Sequence, residues 1–506
     1  MSPISQNERA GRVSYKPLSQ TQEPPYFDPC RSSRYLCMLG LAISWLAGVA
    51  CIVSSVFLWR NNDWYYEGTW IKTELAQLAL NGFITCCNET MGYIHTVSLR
   101  WALHRDKCLT FNSNLRLFID CKESPPNRWY SNTFAMCGVI ITYAASSLTF
   151  VTDVSLGGSP GGDGADPYIY LPALSWLFLG FGLLSQASIA SWSLSYAMSS
   201  ATWSTSALDT VAASIHDGVL QARSGRSLMG VEKHESKKTS AKPQYTQTCA
   251  VFAHREVRYV VFVSWIAVCF GIAWSAITGV LERRISKELC QDSHDCSWDW
   301  IPIPSATTVS LKIPLKGDGN GPLWPIDFSW VFPLILCLQA GMTLCLHCLE
   351  LPINCSRDET IWRKTTSAKG LSNRSPNVLR ALVQSWQALV LLLCKPFLHW
   401  LFGLSLNVNT DHGVEMRPVQ IIYLTTSLIL LAIFATSLTF WKPVGPQPAT
   451  YGHLQTMADL IDYWPTREEK FMFWGHKRDA RGAHGLARAG TSNEPLPRIQ
   501  MNQSYA

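Results

Sequence analysis

The chain has 506 residues, of which 47% are hydrophobic and 15% charged, with a formal net charge of +6. Ordinary soluble domains carry about 25% charged residues, and here the charge is gathered in connectors between long apolar blocks, which excludes a soluble multidomain protein. The basic excess lies beside those blocks, so it reads as membrane orientation by the positive-inside rule and not as a nucleic-acid surface.

Residues 1–35 are polar, with Pro24, Pro25 and Pro29, and are expected to be a disordered cytoplasmic tail. No short apolar stretch followed by a small-residue cleavage site is present, so no secretory signal is expected. Residues 36–441 are expected to form an all-α, polytopic transmembrane bundle. A hydrocarbon core about 30 Å thick takes about 20 apolar residues in a helix, and lipid offers no hydrogen bonds, so each span must be helical. Seven blocks are clear: residues 36–59, 130–151, 168–198, 258–281, 329–350, 379–405 and 419–441. Trp59, Trp129, Trp330 and Trp441 mark ends of several of them, where aromatic rings favour the headgroup level.

An eighth span, residues 75–99, is weaker because it carries Asn81, Asn88, Glu89 and His95. Charge counting supports it. With eight spans and both termini in the cytoplasm, the inner tails and connectors hold 33 of the 42 Lys and Arg residues and the outer connectors 8. Lys395, within a span, is the remaining one. Dropping the weak segment leaves the alternative of seven spans with the N-terminus outside.

The connectors differ in kind. Residues 157–164 are Gly-rich, and the G-x-S-x-G match at Ser159 lacks the strand-to-helix context that motif requires. The basic cytoplasmic loop, residues 199–257, opens with a stretch (204–222) whose Leu208, Val211, Ile215 and Val219 suit an amphipathic helix. The outer loop, residues 282–328, holds Cys290 and Cys296, and an oxidising compartment favours a disulfide between them. Most of the other 15 of the 17 cysteines lie in apolar blocks, as small hydrophobes. Residues 442–506 are expected to be a cytoplasmic tail, helical over 451–464 and then disordered.

The runs NETMGYIHTVSLRWAL (88–103), FNSNLRLF (111–118), HLQTMADLIDYWP and FWGHK resemble a group of multi-pass membrane proteins of filamentous fungi. That resemblance implies a fungal membrane protein and carries no functional residues with it.

Ionisable groups inside spans are costly and mark candidate sites. Counting about 1.5 Å per residue from the expected span ends places Glu89, His95, His347 and Glu350 in one layer of the cytoplasmic half. Such a group suits proton or metal chemistry, but no metal-ligand spacing such as H-E-x-x-H accompanies it. The bland alternative puts His95, His347 and Glu350 at the headgroups, in water. Lys395 falls about 12 Å from Glu89 along the membrane normal, too far to pair, so it is expected at the interface with His399. Pro396 is the candidate hinge.

No catalytic residues, metal or cofactor are expected. Two classes of function stay open. The first is a non-transporting scaffold or receptor-like protein that holds a cytoplasmic partner through Tyr463, Trp464, Phe471, Phe473 and Trp474. The second is a small-solute or ion transporter using Glu89. The lipid bilayer is the partner both require; whether it belongs to the plasma membrane or the secretory pathway stays open.

Overall fold

The computed structural model describes residues 25–61, 64–67, 70–153, 168–236, 240–289, 309–311, 328–372, 385–409, 413–478 and 486–506. The chain is mostly helical. Its helices are α1 (Arg31–Arg60), α2 (Trp70–Arg105), α3 (Trp129–Ser146), α4 (Ala173–Ala197), α5 (Ala207–His216), α6 (Ala250–Ala253), α7 (Arg255–Leu289), α8 (Phe328–Cys348), α9 (Glu350–Arg363), α10 (Trp386–Ser405), α11 (Pro418–Phe440) and α12 (Leu454–Leu460). Among the described residues, six helices are long and apolar enough to cross a membrane: Arg31–Arg60, Ala173–Ala197, Arg255–Arg284, Val331–Thr366, Trp386–Ser405 and Pro418–Phe440. The protein is therefore membrane-embedded.

The helices form two halves. α1 to α4 pack on one another; α7, α8, α10 and α11 form the second group. The halves meet where α2 lies on α10 and α3 on α8. Surface chemistry explains why α2 and α3 fall short of the apolar threshold. α1 exposes Leu39, Leu46, Val53 and Val56 on its outer face, as a lipid-facing helix must. α2 is held in the interior over most of its length, where Gln77, Asn81, Thr85 and Asn88 are buried. Its polar groups find partners on α3: Ser146 Oγ donates to Asn81 Oδ1 at 3.0 Å, and Thr85 and Tyr143 share a hydroxyl pair at 3.0 Å.

Glycines allow the closest helix contacts. A Cβ on Gly182 of α4 would stand 3.0 Å from the Gly138 carbonyl oxygen and 2.9 Å from the Thr142 nitrogen of α3. Both are backbone atoms and cannot swing aside. Pro333 is interior to α8, which begins at Phe328.

At one end, strands from four connectors join a six-stranded sheet. They are β1 (Trp64–Glu67), β2 (Val151–Asp153), β3 (Tyr168–Leu171), β4 (Val309–Leu311), β6 (Leu406–Asn409) and β7 (Gly413–Met416), in the order β1-β3-β2-β6-β7-β4. These are the connectors that charge counting places outside. Cys290, Cys296 and residues 157–164 lie outside the described residues.

At the other end the remaining connectors and the C-terminal region fold together. Here β5 (Leu371–Ser372), β8 (Phe471–Arg478) and β9 (Arg488–Ser492) form a second sheet. α5, capped by Ser206 Oγ accepting from the Leu208 N–H, packs on α12. The disorder expected at the C-terminus is corrected: Tyr505 is fully buried and its backbone pairs with Ala241. The polar composition hid this because much of the pairing is backbone to backbone. Trp362 of α9 packs edge-on against Trp474 at 6.4 Å and donates to the Pro448 carbonyl. Phe111 lies between His254 and His453, with ring centroids 3.9 and 4.9 Å away.

Two outcomes follow from this packing. Gly182→Val should lower the thermal unfolding midpoint in detergent, by overpacking that costs about 1–3 kcal/mol; an unchanged midpoint would contradict the helix contact. Burial pushes His254 down to about 4 and His453 to about 3, whereas an unfolded histidine titrates near about 6.5. Below that value the unfolded chain binds more protons, so their stabilising effect is complete above about pH 6.5 and is lost as pH falls toward 4 and then 3. His453→Gln should flatten this acid limb in pH-dependent unfolding; an identical limb would contradict it.

Candidate functional site

The buried charges lie at the seam between the two halves. One face of α10 turns inward through Leu391, Lys395, Leu398, His399 and Phe402, all buried, at the spacing of one helical stripe. The Lys395 side chain is 1% exposed, and its ammonium donates to Glu89 Oε1 of α2 and, at 2.6 Å, to Glu350 Oε1 of α9. Glu350 opens α9 directly after the break at Leu349, where the helix N-terminus favours a carboxylate. His347 Nδ1 lies 3.1 Å from Glu350 Oε1 and 3.4 Å from Arg116 Nη2, and Arg116 Nη1 lies 3.7 Å from Glu350 Oε2. Two cations thus balance two carboxylates, as a low-dielectric interior demands.

This corrects the expected separation of Lys395 from Glu89 and the interfacial placement of Lys395 and His399. α2 starts at Trp70, five residues before the expected span, and the described part of α10 starts at Trp386, seven after. At about 1.5 Å per residue both shifts carry their residues toward the same face, so the pairing comes from how α2 docks on α10 and not from where the spans begin. His399 is fully buried, its ring stacked on Tyr143 at 3.5 Å while Gln339 lies 3.0 Å from its Nδ1. His95 does not join the cluster; it is buried beside Asn132 and Pro126. Pro396 sits within α10, next to Lys395, and the helix continues through it.

Sequence reasoning missed Arg116, Tyr143, Gln339 and His399 as members. Arg116 comes from a connector and reaches inward because a Cβ at Gly92 would overlap its guanidinium. Gly92, one turn from Glu89, was the available signal. Tyr143 and Gln339 carry no charge and gave none.

A metal-like triad is present, since ligand atoms of Glu89, His347 and Glu350 lie within 4.8 Å of one another. The Lys395 ammonium already occupies an oxygen of each carboxylate. A divalent ion would have to displace it, so the arrangement is that of an ion-pair network.

Polar groups continue from the cluster toward the six-stranded sheet. Tyr143 meets Thr85, whose hydroxyl donates to the Asn81 carbonyl; Asn81 accepts from Ser146 and donates to the Gln77 carbonyl. Gln77 donates to the Ser146 carbonyl, and Thr149, just before β2, donates to Gln77 Oε1 at 3.5 Å. His347 Nε2 and His399 Nε2 are buried along this route with no hydrogen-bond partner among the described residues. On the opposite side the cluster borders a cavity of about 1120 Å³, whose lining includes Lys364 and, in the C-terminal region, Phe471, both exposed.

No known protein family matches this chain, and neither does any curated protein or solved structure.

Lys395→Met should leave two partly buried carboxylates facing each other and destabilise the protein by up to about 3 kcal/mol. Lys395→Met with Glu89→Gln restores the balance, with Glu350 still paired to Arg116, and should recover a large share of that loss in thermal unfolding. Additive losses in the double variant would show that the pair is not coupled.

Proposed function

We propose that the chain crosses the bilayer eight times, with both termini in the cytosol, and transports a small solute or ion using Glu89 as the exchanging carboxylate. The crossing number is supported by the gathering of the four connectors predicted outside into one sheet and of the inner connectors into one module. α2 and α3 each run between those ends. The basic connectors lie with the inner module, in line with the positive-inside rule.

The transport reading is carried by one observation: a charge-balanced cluster lies between the halves, with a large cavity on one side and a polar track on the other. A proton taken up by Glu89 cancels its charge and loosens its hold on the Lys395 ammonium, and the proton leaves again when the ion pair re-forms. Intramembrane carboxylates paired to cations are used this way in ion-coupled carriers. The scaffold reading drew on the aromatic tail, and Trp474 of that tail is buried inside the inner module, which removes part of its support.

In proteoliposomes with an imposed pH gradient, the wild-type chain should dissipate the gradient and Glu89→Gln should abolish this flux at equal protein abundance. Unchanged flux in the variant would reject the role of Glu89. A tag on the N-terminus should become accessible after selective permeabilisation of the plasma membrane alone; accessibility in intact cells would instead support seven crossings.

A further inference from the structure

We propose that the cavity beside the ion cluster binds an amphiphilic monoanion, a carboxylate or phosphate ester carried on an alkyl chain. The proposal rests on the transport reading only for its consequence, since binding alone does not require flux.

The cavity has two chemically distinct regions. Leu36, Leu39 and Ile43 of α1 and Leu391 and Leu392 of α10 line it with apolar surface. Leu36, Leu39 and Ile43 are also 42%, 59% and 41% exposed, so this wall is continuous with the flank of α1 that faces lipid. An alkyl chain entering from the bilayer stays in contact with apolar groups throughout, and each buried methylene contributes about 0.8 kcal/mol.

The inner region is cationic. The quartet of Lys395, Arg116, Glu89 and Glu350 is balanced. Beyond it, Arg100, Arg357 and Lys364 line the cavity against Asp209. Asp358 behind Arg357, at 3.1 Å, cancels one more. One positive charge is left over, which matches a monoanion. Arg100 is the residue best placed to use it. It is 4% exposed, its Nη1 donates to the Ser204 carbonyl at 2.7 Å, and its Nε has no partner among the described residues. Unpartnered buried donors are costly unless a ligand or water meets them. A carboxylate or phosphate oxygen supplies the acceptor, and a charged acceptor makes the stronger hydrogen bond.

A free inorganic anion fits the inner region and leaves the apolar wall unused. A neutral lipid fits the wall and leaves the charge unmatched. Only an anion with a tail satisfies both regions.

The test is equilibrium binding of radiolabelled palmitate to the full-length protein in neutral maltoside micelles, with no gradient imposed. Palmitate should bind saturably, and hexadecyl phosphate should compete with it. Hexadecanol, acetate and inorganic phosphate should compete at least about tenfold less well. Arg100→Gln and Leu39→Trp should each weaken binding by about tenfold or more. Leu39 lies on an exposed helix face, so its variant keeps the test valid if Arg100→Gln fails to fold. Equal competition by inorganic phosphate would make this a free-anion site, and equal competition by hexadecanol would make it a charge-blind lipid groove. Either result, or unchanged binding in Leu39→Trp, overturns the proposal. Binding without proton flux would sink the transport reading and leave the site standing; flux without binding would do the reverse.

Discussion

The ammonium of Lys395, held between the carboxylates of Glu89 and Glu350, is the interaction on which the arrangement of the helices turns. In a medium that screens charge weakly, an unpaired ammonium or carboxylate is expensive, and three helices are fixed relative to one another so that none is left unpaired. α2, α9 and α10 each contribute one member. α8 adds His347, and the inner connector adds Arg116 through the gap that Gly92 leaves. A shift of one helix by a single turn leaves the fully buried Lys395 ammonium without its carboxylates. The cluster thus sets the register of the seam as strictly as any apolar packing does.

Around that seam the usual placement of polarity is reversed. Polar side chains of α2 point inward to α3, and leucines and valines of α1 point outward. This is the distribution expected where the solvent is hydrocarbon, because buried amides and hydroxyls then bond to each other and lipid-facing positions need only be apolar. The two ends are closed in different ways. Short strands from distant connectors tie one end into a single sheet, and backbone pairing of the C-terminal region ties the other. Both devices hold the halves together without adding polar groups to the lipid-facing surface. The seam itself keeps a cavity and a line of buried polar groups, the ingredients of a path for charge.

The sequence alone shows the membrane character of the chain. The apolar blocks that become α1, α4, α7, α8, α10 and α11 are visible because lipid-facing surface must be apolar over a fixed length, a requirement written into consecutive residues. The asymmetry of Lys and Arg between connectors is equally local, and it sorts the same four connectors that the six-stranded sheet joins. Glu89, His347, Glu350 and Lys395 are also conspicuous in the sequence as charges or imidazoles in apolar surroundings. Which of them meet is decided only in three dimensions. Their distances depend on how the halves dock, which counting residues from the ends of separate segments does not give, and this hid the Lys395–Glu89 contact. Arg116, Tyr143 and Gln339 enter the site from positions that no linear pattern marks, and the strands of both sheets pair residues far apart in the chain. Burial of apolar length is a property of one segment at a time; charge pairing and backbone pairing are properties of two, and their partners are chosen by the fold.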